Sequence, residues 1–153
     1  MKEIELSQGR VTIVDDELYD YLNQWKWCYA NGYAQRTDYP GKGTQKTIRM
    51  SRIIVNPPDG MEVDHINLDK LDNQRSNLRV CTRSQNCSNK KKTAKSGRKG
   101  VYWNKNNKNW VACMKYHGKG IHLGSFTNLD DAAEAYANGA KKYFGEFAYV
   151  ERE

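Results

Sequence analysis

The sequence lacks any apolar run near the ~20 residues that a membrane-spanning helix needs. Its opening Met1-Lys2-Glu3-Ile4-Glu5 also lacks the apolar stretch of a secretory signal. No Cys-x-x-Cys pair is present: Cys28, Cys81, Cys87 and Cys113 fall singly. That spacing argues against a zinc knuckle and against a disulfide framework, so no structural zinc is expected. Together these absences lead to the expectation of a soluble intracellular protein with reduced thiols and no membrane partner. A further absence is local. Residues 87–126 hold ten Lys or Arg and no Asp or Glu, although residues 1–60 balance at eight of each and 61–86 at four of each. Residues 127–153 hold three basic and six acidic side chains, and the whole chain is +7. A basic stretch without a carboxylate suits a polyanion, because each cation that neutralises a phosphate releases a counterion. The plainer alternative is a solvated basic surface that aids solubility, and the aromatic residues interleaved in the stretch favour the first reading.

A length of 153 residues fits one ordinary domain or two to three small ones. The expected class is α+β. Residues 1–56 read as a small α+β unit. Short β-type runs at 4–6 and 11–14 flank Gln8-Gly9, and Asp15-Asp16 offers a cap for a helix over 17–25. Asn31-Gly32 between 26–30 and 33–37 is a strong hairpin signal. Residues 47–55 read as one more apolar-alternating element. Asn56-Pro57-Pro58-Asp59-Gly60 then breaks the chain, so 57–90 is taken as a separate core. Residues 91–99 form a basic linker. Residues 100–148 predict three antiparallel strands (101–104, 110–116, 120–126) packed on one helix over 129–144, capped by Thr127 or Asn128 and stopped by Gly145.

The chemistry-bearing residues lie in 61–90. Val63-Asp64-His65-Ile66-Asn67 is followed by Leu71-Asp72-Asn73, Ser76-Asn77-Leu78-Arg79 and Asn86. The segment reads as strand, polar loop, strand and helix. Thr82-Arg83-Ser84-Gln85 has capping-box form, so Asn86 falls near the start of that helix. Such a frame brings a carboxylate, an imidazole and amides towards one hard cation. Imidazole suits a general base at neutral pH. A carboxylate and an amide oxygen suit Mg2+, which takes few protein ligands and keeps waters. Asp64 and His65 are neighbours in extended backbone, so they face opposite ways and suit different tasks.

These residues resemble the HNH nuclease motif in the form found in phage and group I intron homing endonucleases. The resemblance implies a ββα-metal core that hydrolyses phosphodiester bonds in duplex DNA, as a nickase or a site-preferring cutter. It assigns His65 as the base, Asn77 as the residue orienting it, and Asp64 and Asn86 as ligands of one divalent ion, Mg2+ first and Mn2+ second. Asn77 has a second reading as a structural turn residue, and Asp72 and Asn73 are read as fixing the loop. Two departures are visible: Ser51 stands where a His is expected before Arg52, and Leu68 where a Gly is usual in the loop. Residues 97–148 similarly resemble the Apetala-two (ethylene-response-factor) DNA-binding domain through Gly100-Val101, Trp110-Val111-Ala112, His122-Leu123-Gly124-Ser125-Phe126 and Ala132-Ala133-Glu134-Ala135-Tyr136. The expected DNA contacts are Arg79, Arg83, Lys90, Lys91, Lys92, Arg98, Lys99, Tyr102, Trp103, Lys105, Lys115 and Lys119, with Tyr116 on the same groove-facing surface. Trp110 and Phe126 are assigned to the core. A phage or mobile-element origin fits both resemblances. The rival reading is a DNA-binding regulator whose nuclease segment survives only as scaffold.

Overall fold

The computed structural model describes residues 1–41, 43–90 and 95–149. Its contacts divide the chain into two units, Met1–Thr82 and Arg83–Glu153. The protein is mixed α+β, and no helix among the described residues is long and apolar enough to cross a membrane.

The first unit opens with the hairpin β1 (Lys2–Glu5) and β2 (Val11–Val14), paired antiparallel with Lys2 opposite Val14. Alternation places Ile4 and Val14 in the core. Helix α1 (Asp16–Leu22) starts after Asp15. It stops at Leu22, short of the expected Trp25, because the buried Trp27 indole N–H donates to the Leu22 carbonyl at 2.8 Å. Trp25 then packs edge-on against Tyr21 and Trp27. Strands β3 (Cys28–Ala30) and β4 (Tyr33–Gly41) meet at Asn31-Gly32, both at positive φ (54° and 86°), as a tight hairpin of this sequence demands.

The single element expected over 47–55 is two. Strand β5 (Thr44–Arg49) pairs with β4, and helix α2 (Met50–Val55) follows without a break. The switch follows burial: Met50, Ser51 and Ile54 go inside together, which is the spacing of one helical face. Asn56 ends the helix in the left-handed region, its N–H donating to the Arg52 carbonyl at 2.9 Å.

Strands β6 (Glu62–His65) and β7 (Leu78–Cys81) form a two-stranded ribbon. Such a ribbon cannot bury its own apolar face. Leu78 therefore joins one core with Ile4, Leu6, Val14, Leu22, Trp27, Ala34, Met50 and Ile54, and Val63 and Leu71 pack against it. Pro57-Pro58 is consequently a bend inside one unit, and the division of the chain falls later, at Thr82/Arg83.

The second unit holds α3 (Arg83–Asn89), the strands β8 (Val101–Asn104), β9 (Asn109–Tyr116) and β10 (Lys119–Phe126), and α4 (Leu129–Phe144). The sheet order is β10-β9-β8, all antiparallel. Asn128 caps α4, its side-chain oxygen accepting from the Asp131 N–H at 2.8 Å. Asp130 and Asp131 lie in the first turn and Lys141 and Lys142 in the last, complementing the helix dipole at both ends. Val101, Ala112 and Ala132 centre the core, with Trp110, Phe126 and Tyr136 packed on it. Gly100 is required there: at φ 68°, a Cβ on it would lie 2.1 Å from the Tyr136 ring.

Candidate functional site

Strand β6 carries the two residues on which the sequence reading turned. Asp64 lies opposite Arg79, and His65 opposite Leu78. Both Asp64 and His65 are 5% exposed. A lone buried carboxylate would be costly. Here the Arg79 guanidinium meets it, with Nε at 2.9 Å and Nη2 at 2.8 Å from Asp64 Oδ2. Arg79, expected at DNA, is thus also the internal counter-charge of Asp64.

His65 is fixed by a chain of hydrogen bonds whose directions can be deduced. A carbonyl only accepts, so the Thr12 hydroxyl donates to the Leu71 carbonyl, at 2.6 Å. Thr12 Oγ1 then accepts from Asn73 Nδ2 at 2.8 Å. The Asn73 amide is thereby oriented with Oδ1 towards His65 Nε2, 3.2 Å away. Nε2 must carry the hydrogen, which puts the basic lone pair of the neutral ring on Nδ1. Thr12 and Asn73 are 0% and 1% exposed, so water does not compete for these bonds. Burial holds the His65 pKa below its usual 6.5, against the opposing pull of the Asn73 bond and of Asp64, Asp69 and Asp72.

The backbone locks the same contact. Ile13 N–H donates to the Leu71 carbonyl at 2.9 Å, and Asn73 N–H to the Ile13 carbonyl at 2.8 Å, so β2 bridges the loop in parallel fashion. Asp15 contributes as well. Its carboxylate accepts from the Arg75 N–H at 2.8 Å rather than capping α1.

Asn77 works on the loop. Its Nδ2 donates to the Asp72 carbonyl at 2.8 Å, its Oδ1 accepts from the Asn67 N–H at 2.9 Å, and its own carbonyl accepts from Ile66 N–H. Asn73, which sequence reasoning assigned to the loop, makes the side-chain bond to His65. Thr12 was missed entirely, since no local pattern connects it to a residue 61 positions on. Leu68 sits at φ 69°, the left-handed region that glycine adopts freely. Ser51, at the other departure, is buried in α2.

Among the described residues, no group of three His, Cys, Asp or Glu side chains comes together to hold a metal ion. Asp64 offers a carboxylate, the kind of hard oxygen donor that a divalent cation takes while retaining most of its waters. Asn86 lies on α3, half-buried, in the second unit.

The remaining expected DNA residues have distinct placements. Lys91 and Lys92 lie outside the described residues. Arg83 and Lys90 are exposed at the two ends of α3. Lys99 Nζ donates to the Lys90 carbonyl at 2.8 Å and also to that of Ser88, closing the end of α3. Arg98 reaches Asp130 at 3.4 Å. Register separates Tyr102 from Trp103: Val101 and Ala112 face α4, so Tyr102 faces away and Trp103 faces the helix side, against Trp110 at 5.1 Å. Tyr116 also turns to the helix side, packing on Tyr143 and Phe144. The expected single groove-facing surface is thus split by strand alternation. The open face carries Tyr102, Lys115, His122 and Ser125, all exposed, while Lys105 and Lys119 are exposed at the turns.

Residues 56–87 match the family model described as HNH endonuclease. That span contains Asp64, His65, Asn77 and Asn86. The chain is also 29% identical over 147 residues to the "Uncharacterized HNH endonuclease L560" of Acanthamoeba polyphaga mimivirus, covering 92% of this chain and 74% of that protein. No solved structure matches the chain.

Proposed function

We propose that the chain is a divalent-metal-dependent endonuclease that hydrolyses phosphodiester bonds in duplex DNA, as a nickase or a site-preferring cutter. The observation that carries this reading is the buried His65, tautomer set by Asn73, next to Asp64 in a segment that matches the HNH endonuclease family. His65 Nδ1 takes a proton from the attacking water as the new P–O bond forms and the scissile P–O bond breaks. Asn73 and Thr12 hold the ring, and Asn77 braces the loop that carries them. Asp64 and Asn86 are the proposed ligands of Mg2+ or Mn2+, which when bound would neutralise charge on the phosphate and the leaving oxygen. The second unit is proposed to grip DNA through its three-stranded sheet, in the manner of the Apetala-two domains it resembles in sequence, with Tyr102 and Lys115 on the open face.

One observation favours the regulator reading instead: Asp64 Oδ2 already accepts two bonds from Arg79. Plasmid relaxation separates the two. The endonuclease converts supercoiled plasmid with Mg2+, stops with EDTA, and loses conversion in His65→Ala. A chain that binds the plasmid but never cuts it, with Mg2+ or Mn2+, is the regulator.

A further inference from the structure

Three side chains of the first unit, none part of the relay above, meet beside His65. The Tyr33 ring centroid lies 6.1 Å from that of His65. Arg49 Cζ sits 4.1 Å from the Tyr33 centroid, and Lys70 Nζ sits 4.4 Å from it. The fold sets each of them. Gln35 pairs with Arg49 across β4 and β5, and Tyr33 precedes Gln35 by two, so Tyr33 and Arg49 are diagonal neighbours on one sheet face. Lys70 lies along the Asn31-Gly32 turn: its Nζ is 3.5 Å from the Asn31 carbonyl, and a Cβ on Gly32 would stand 3.2 Å from its Cδ.

Asp69 and Asp72 lie near enough to act on His65, but neither forms an ion pair with the two cations on this ring. Arg36, Arg75 and Arg79 each pair with a carboxylate, on Asp38, Glu17 and Asp64. Among the described residues, Arg49 and Lys70 have no carboxylate within ion-pair distance. Two exposed cations held on one aromatic ring repel each other, and the ring offsets that only in part. An anion in reach of both would relieve the repulsion. A phosphate matches in charge and presents several acceptor oxygens, which a guanidinium fork can take two at a time.

We propose that Arg49, Tyr33 and Lys70 form a subsite for a backbone phosphate of the DNA strand cut at His65. Arg49 and Lys70 supply the charge, and the Tyr33 ring fixes their position. The inference rests on the endonuclease reading for its substrate, but binding is measurable without cleavage. In full-length protein carrying His65→Ala, the affinity for a fluorescein-labelled 20-base-pair duplex is read by anisotropy across a salt series. Arg49→Gln and Lys70→Gln each flatten log K against log salt by about 0.9, and the double variant by about twice that. Arg49→Lys keeps the slope because it keeps the charge. Tyr33→Phe matches the parent, while Tyr33→Leu lowers affinity severalfold at unchanged slope. Melting curves of every variant confirm the fold, and any that melts early is replaced by Arg49→Met or Lys70→Met. Parental affinity and slope in the double variant overturn the subsite. Absence of cleavage by the unmutated protein, with these slopes as expected, overturns the endonuclease reading alone.

Discussion

Asn73 accepts the ring N–H of His65 at 3.2 Å and can do so in only one orientation, because its amide N–H is committed to Thr12. Removing either end of that arrangement loosens the proposed base without removing it. Asn73→Ala leaves His65 and Thr12 without their buried partner and lowers the cleavage rate constant by ~10- to 100-fold, part of the 10²–10⁴ that a positioned acid–base group supplies. DNA affinity stays at the parental value. Thr12→Val, which keeps shape, destabilises the first unit by about 1–3 kcal/mol through the unsatisfied Asn73 amide. Single-turnover kinetics and urea melts check both. An unchanged rate constant in Asn73→Ala would show that the ring is held by something else.

The buried imidazole also sets a pH dependence. The pKa of His65 in the folded chain lies below 6.5, so the unfolded chain binds the proton more readily than the folded one. Stability from this residue is complete above about 6.5, the ordinary histidine value. It falls as pH drops from there towards the folded pKa. Melts of the metal-free protein between pH 7.5 and 5 should show this loss, and the part due to His65 should vanish in His65→Gln. Identical pH profiles for the two proteins would contradict it.

Arg79 and Asp64 are coupled in a way that a metal would feel. Arg79→Met takes the guanidinium from a buried carboxylate, and removal of one partner of such a pair costs ~3–5 kcal/mol. The same change takes a positive charge from a proposed metal ligand. The variant should therefore melt earlier without metal and gain more than the parent from added Mg2+, as differential scanning would read. An equal Mg2+ response in both proteins would remove Asp64 from the metal site.

Leu68 occupies backbone better suited to glycine. Its left-handed φ of 69° is strained for a side chain that is 38% exposed and gains little from burial. The left-handed region costs a non-glycine residue ~1–2 kcal/mol, and the extra chain freedom of glycine returns ~0.5–1 of that. Leu68→Gly should therefore raise stability by about 0.5–1 kcal/mol in a denaturant melt. A loss of stability would mean that the Leu68 side chain packs more than its exposure suggests.

Local signals carried the sequence reading where structure is local. Asn128 and Gly145 bracket α4 as expected at Leu129–Phe144, and Asn31-Gly32 makes the hairpin. Strands β8, β9 and β10 fall within a residue of their expected bounds. Reading fails where a distant partner decides. The end of α1 depends on the Trp27 indole, and the break between β5 and α2 depends on which residues the common core takes in. The same holds at the site. Asp64 and His65 could be named as candidates from their spacing with Asn77 and Asn86, because the motif is contiguous. Thr12 is not, since its role exists only once β2 lies against the loop. The face of Trp103 was open to deduction from period-two alternation with Trp110, had register been known.

That bridge between β2 and the loop also orders events in the life of the chain. Synthesis delivers Val11–Val14 well before Asn73, and the imidazole gains its fixed tautomer only after the two have closed on each other. A chain clipped between β2 and β6 whose pieces part would keep the motif letters but lose Thr12, and with it the fixed tautomer of His65. For the proposed endonuclease, competence would then depend on finished folding rather than on the presence of the residues alone.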